Sequence, residues 1–164
     1  MRVYGIDTTE ESAKVEYFEK LLNYNYRLIY KLGCCTGLRI TDIVNMKITV
    51  LEKKEPTIRE QKTGKSKRIY IPKKLKAELI RYSKGNKEYI FESKSSKSGH
   101  ITRQAVWKHF KKAAKRAEIE LNVGTHTMRK NHVQKLVKKG KKYKYIQNKL
   151  NHNNLADTLL YMMN

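Results

Sequence analysis

Cys35-Thr36-Gly37-Leu38-Arg39-Ile40-Thr41-Asp42 lies between a long apolar helical stretch and a short amphipathic one. Upstream, residues 26–35 carry Leu28, Ile29 and Leu32 at helical spacing; downstream, residues 40–46 place Ile40, Ile43 and Val44 on one face. Gly33 and Gly37 loosen the turn between them. A buried helix therefore ends beside Arg39, and a long cation follows immediately on an apolar framework.

Working outward, Thr8 and Glu11 have the spacing of a capping box that opens a helix running to residue 22. Residues 48–51, 57–61 and 68–71 read as strands. Thr63-Gly64-Lys65-Ser66 supplies turn chemistry between the last two, which predicts a hairpin. Pro72 starts a helix to about residue 83, and the Ser-, Lys- and Gly-rich residues 92–99 form a loop. Residues 102–118 are strongly amphipathic: Val106, Phe110, Ala113 and Ala117 line one side, and Lys108, Lys111, Lys112 and Lys115 load the other. Three more helices follow at residues 127–139, stopped by Gly140, then 143–150 and 155–162. The expected fold class is mainly α with a small antiparallel β-sheet (α+β), as a single domain over residues 1–164.

Composition narrows the function. The 164 residues carry 37 Lys+Arg against 15 Asp+Glu, a formal charge of +22. Residues 1–60 hold 10 basic and 9 acidic side chains; residues 61–164 hold 27 and 6, so nearly all of the field belongs to the second part. Such a surface suits a polyanion, nucleic acid being the commonest, although a generally lysine-rich protein would share the charge, and charge does not separate DNA from RNA. No apolar run is long enough to span a membrane, and no signal-peptide pattern opens the chain. Cys34 and Cys35 are adjacent, and CxxC and HExxH are absent, so neither a disulfide scaffold nor a metal site is expected; a reducing, cytosolic compartment fits. No Gly-rich phosphate loop indicates a nucleotide, and no cofactor is expected.

Three segments matter together: Thr36-Gly37-Leu38-Arg39, then His126-Thr127-Met128-Arg129, then Leu150-Asn151-His152 with Tyr161 nine positions later. This ordered set resembles the catalytic domain of the tyrosine recombinase (phage integrase) family. The resemblance covers about residues 10–163, including a 23-residue interval from Arg129 to His152. It implies a site-specific recombinase or integrase of a phage or mobile element, which cuts and rejoins double-stranded DNA through a 3′-phosphotyrosyl intermediate. A type IB topoisomerase and a catalytically silent DNA-binding module are the alternatives. It also implies a tetramer on DNA, a possible monomer in solution, a prokaryotic cytosolic setting, and an N-terminal core-binding domain that residues 1–164 do not supply.

The residue chemistry agrees. Arg39 and Arg129 offer permanently charged planar forks for non-bridging phosphate oxygens, and by resemblance they clamp the phosphate with His152 as a third donor. Taken alone, Arg39 would more simply pair with a carboxylate such as Asp42. Tyr161 is the nucleophile by resemblance, and His126 handles its proton. The resemblance also implies a hairpin lysine that protonates the leaving 5′-oxygen. By resemblance Lys62, in Gln61-Lys62-Thr63-Gly64-Lys65, matches that lysine best. It precedes Pro72 by ten, an even step like the usual family interval of eight, side chains alternating faces along a strand. Lys65 is its rival, and Lys65 and Lys67 are expected to be solvated. Asn151 stands where the family usually has Gly, which Asn can replace at positive φ. Asp42 stands where Glu is common and is expected to brace the Arg39 segment.

Overall fold

The computed structural model describes residues 12–119, 122–152 and 154–162. The Thr8–Glu11 capping pair lies outside them. Nine helices and one two-stranded sheet are formed by the described residues. They are α1 (Ser12–Leu21), α2 (Tyr24–Thr36), α3 (Ile40–Val44), α4 (Thr49–Glu52), β1 (Thr57–Arg59), β2 (Ser66–Arg68), α5 (Lys73–Tyr82), α6 (Arg103–Arg116), α7 (Thr127–Lys138), α8 (Tyr143–Leu150) and α9 (Leu155–Met162).

The apolar stripe of α2 lies at the centre. Leu28, Ile29 and Leu32 are fully buried, and Phe18, Tyr30 and Phe110 meet edge to face with centroids 5.3–5.8 Å apart, joining α1, α2 and α6. Helix α7 crosses α2 closely because Gly33 has no side chain: a Cβ there would sit 2.5 Å from Met128 Sδ. Gly37 then ends α2 in the left-handed region at φ 66°, its N–H bonded to Gly33 O at 2.9 Å. That turn buries Leu38 and delivers Arg39 to the start of α3. Cys34 and Cys35 are free thiols whose pKa burial pushes up to about 12 and about 11, so both stay protonated.

Two strand expectations are corrected. Residues 48–51 do not form a strand; Thr49–Glu52 is the single helical turn α4. The β-branched run is too short for its propensity to decide, and burying Leu51 with Ile48 and Val50 against the main core selects the turn. The second hairpin strand is Ser66–Arg68, not residues 68–71. Register pairs Thr57 with Arg68, Ile58 with Lys67 and Arg59 with Ser66. Ile69 N–H still reaches Pro56 O at 2.9 Å, but proline has no N–H to return, so the ladder stops. Buried Ile69 and Ile71 keep the alternation around exposed Tyr70.

A second, small apolar cluster of Val133, Ile146 and Leu150, with Leu136, Tyr161 and Met162 packed on it, holds α9 to α7 and α8. Asn151 ends α8 at φ 51°, the left-handed conformation expected for it. Among the described residues no helix is long and apolar enough to cross a membrane.

Candidate active site

The α2–α7 crossing sets the site. The Thr127 hydroxyl accepts the Gly124 N–H at 2.9 Å, shaping the turn that puts His126 just before α7 and Arg129 one turn later on the same side. Arg129 is 2% exposed. It donates from Nη1 to Gly37 O at 2.6 Å and from Nη2 to Leu150 O at 2.7 Å, bolting together the ends of α2 and α8. Burial lowers its pKa to about 10, with Arg39 adding to the effect, yet it remains a full cation at neutral pH.

Arg39, Lys62, His126 and Arg129 line one open cleft of about 740 Å³. His152 and Tyr161 join them: Tyr161 Oη is 2.7 Å from His126 Nδ1, its ring centroid is 5.3 Å from that of His152, and the Arg129 guanidinium lies 5.9 Å from the ring. The fold thus brings together all six residues singled out in the sequence. Among the described residues no three His, Cys, Asp or Glu side chains gather as a metal site.

Both site imidazoles are held neutral. Desolvation, then Arg129 and Arg39, lowers the His126 pKa. His152 falls to about 4 for the same first two causes, burial and Arg129. His152 Nδ1 lies 3.1 Å from Thr158 Oγ1; the tautomer in which the hydroxyl donates leaves its proton on Nε2 for an incoming oxygen. Tyr161 is pushed up by burial, opposed by Arg129 and Arg39, so its phenol is protonated and needs an acceptor. Neutral His126 at 2.7 Å can be that acceptor.

Three expectations about the hairpin change. Arg39 pairs with Glu60, Nη1 to Oε2 at 3.0 Å, rather than with Asp42. Asp42 instead accepts the Gln61 N–H at 2.9 Å and ties the hairpin turn to α3. Lys62 lies in the turn beyond β1, so strand alternation does not decide its direction; the cleft wall does. Lys67, expected to be solvated, is buried, because its pairing with Ile58 turns it to the inner face.

Sequence reasoning missed Glu60, which is fully buried, and three further residues that line the cleft, Arg103, Gln104 and Trp107 at the start of α6. Arg103 and Trp107 stand one helical turn apart, a signal the sequence carried; Glu60 lies just beyond β1, where only three-dimensional pairing marks a buried ion.

The description "Phage integrase family" fits residues 8–164, practically the whole chain. The chain belongs to the phage integrase family. It is 30% identical over 165 residues to the probable integrase/recombinase YoeC of Bacillus subtilis (strain 168), covering 98% of this chain and 89% of YoeC. Against a tyrosine recombinase of Thermosipho africanus (strain TCF52B) it is 30% identical over 155 residues, covering 93% of this chain but only 54% of that protein. The chain thus spans about half the length of this second relative. Two solved structures share the fold. A crystal structure of XerA recombinase superposes with TM-score 0.80 at 17% identity, over 99% of this chain and 60% of XerA. XerH recombinase, in a post-cleavage complex with palindromic difH substrate, gives 0.79 at 16%, over 100% of this chain and 50% of XerH. This integrase-family chain is mostly helical, with one two-stranded sheet among its described residues.

Proposed function

We propose that this chain is the catalytic domain, residues 1–164, of a site-specific DNA recombinase or integrase serving a phage or mobile element. The observation that carries this is the Tyr161 hydroxyl 2.7 Å from a neutral imidazole, at the edge of a cleft walled by Arg39 and Arg129. Tyr161 Oη attacks phosphorus as its proton passes to His126. The bond to the 5′-oxygen breaks, Lys62 protonates that oxygen, and a 3′-phosphotyrosyl linkage and a free 5′-hydroxyl result. Attack by another strand's 5′-hydroxyl reverses the step, and the linkage conserves the energy of the broken bond. Arg39, Arg129 and His152 hold the non-bridging oxygens, where each pre-organised donor is worth about 2.7–4 kcal/mol. Double-stranded DNA is the substrate, running past Arg103 and Gln104. The working assembly is a tetramer on DNA in the prokaryotic cytosol.

A nicked suicide duplex tests this: wild-type protein should form an adduct that survives denaturing electrophoresis. Relaxation of supercoiled plasmid without strand exchange would transfer the chain to the topoisomerase class. Relatives named as integrases and recombinases favour exchange.

A lowered His126 pKa keeps the acceptor neutral into mild acid. Adduct formation should therefore hold down to pH ~6.5, the ordinary histidine value, and fall only below it. A midpoint above that value would remove His126 as the acceptor. Duplex affinity, measured by anisotropy, should drop at least about tenfold between 50 and 200 mM salt as phosphate counter-ions are exchanged. Salt-independent binding would exclude a phosphate-tracking surface.

A further inference from the structure

Glu60 and Lys67 form a buried pair that the cleavage chemistry does not use. The Glu60 side chain is 0% exposed and that of Lys67 5%. Glu60 Oε2 is fully engaged, by Arg39 Nη1 at 3.0 Å and the Thr63 hydroxyl at 2.9 Å. Its Oε1 and the Lys67 ammonium lack a hydrogen bond of good geometry and face each other across 4.0 Å, with the Asn151 amide also beside the carboxylate. An ammonium sealed in this way carries a desolvation cost. Its place is explained by charge. Glu60 attracts Arg39, and every part of that attraction left uncompensated is subtracted from Arg39's pull on a phosphate.

We propose that Lys67 is a positioning residue for strand cleavage, sharing the charge of Glu60 so that Arg39 stays directed at the scissile phosphate. It touches no substrate itself. The ammonium is faced by Glu60 after β1, Arg39 before α3, Arg129 and His132 on α7, Lys149 on α8 and His152 beyond it. Burial, then Arg129, draws its pKa down to about 8, which leaves it charged at neutral pH and gives its loss a pH signature.

The inference rests on cleavage by Tyr161, and single-turnover adduct formation on the suicide duplex tests both. Lys67→Met leaves the Glu60 carboxylate without its second cation and should melt below wild type. Assayed well below that transition, it should bind duplex equally well yet cleave roughly 10- to 100-fold more slowly, the cost of a misdirected catalytic group. Lys67→Gln should show the same loss. In a Glu60→Gln background the Lys67→Met effect should shrink to within about threefold, since the residue acts through Glu60. Wild type should lose rate as pH passes about 8, a limb that Lys67→Met lacks. A duplex with sulfur at the bridging 5′ position, whose leaving group needs no proton, should rescue Lys62→Ala but not Lys67→Met. Wild-type rates in both Lys67 variants, an undiminished Lys67→Met effect in the Glu60→Gln background, or rescue by sulfur would overturn the proposal while the wild-type adduct stands. Absence of the wild-type adduct would overturn the recombinase assignment and this proposal with it.

Discussion

Tyr161→Phe is expected to eliminate the covalent protein–DNA adduct while leaving fold and duplex binding intact. The substitution removes one oxygen. The ring remains packed on Val133, Ile146 and Leu150, so the cluster that seats α9 is unchanged. The lost hydrogen bond to His126 is worth only about 0.5–1.5 kcal/mol, at a rim open to water. Chemically the loss is complete, because no tyrosine is found among the described residues that line the cleft to take over the attack. Denaturing gels on the suicide duplex check the adduct, and thermal melting checks the fold. An adduct of wild-type yield from the Phe variant would assign the nucleophile elsewhere.

Arg129→Lys is expected to lower single-turnover cleavage by roughly 10²–10³-fold, the range for removing one pre-organised oxyanion donor. The charge survives, but the geometry does not. The guanidinium spans two backbone carbonyls, Gly37 O and Leu150 O, and still presents a flat face and further donors to the cleft. A lysine has one nitrogen at the end of a flexible chain, and it cannot hold both carbonyls and a phosphate oxygen. Melting temperature should fall as well, since charge-assisted hydrogen bonds contribute about 1.5–3 kcal/mol each. Arg129→Ala should be worse on both counts. A Lys variant that cleaves within threefold of wild type would show that charge alone suffices.

The helices were legible because their signals are local and redundant. Val106, Phe110, Ala113 and Ala117 mark the buried side of α6 through spacing, and all four are buried. Gly140 and Asn151 stand at positive φ beyond α7 and α8, as their side chains predict. The short elements were less legible. Residues 48–51 have strand-forming side chains, yet tertiary burial sets them as a helical turn. The hairpin's extent depends on Pro56, whose missing N–H acts on the other strand and not on its own. Arg39, His126, Arg129, His152 and Tyr161 were singled out through the family resemblance of their ordered set, and the fold brings them to one cleft. Their supports were not legible, because Glu60 and Lys67 lie among many charged neighbours, and only three-dimensional pairing separates a buried ion from a solvated one.

The anchoring of α9 bears on how Tyr161 reaches the cleft. Of its eight residues only Thr158 is fully buried, and Leu155, Leu159 and Leu160 are exposed. Its apolar packing is on the small cluster rather than the main core, with His126, His152 and Arg129 adding polar and ring contacts. Its detachment therefore needs far less free energy than global unfolding, and amide protons on α9 should exchange with deuterium sooner than those of α2. Under the proposed function the attacking phenol would thus ride on a lightly anchored helix, while Arg129 is tied to the ends of α2 and α8.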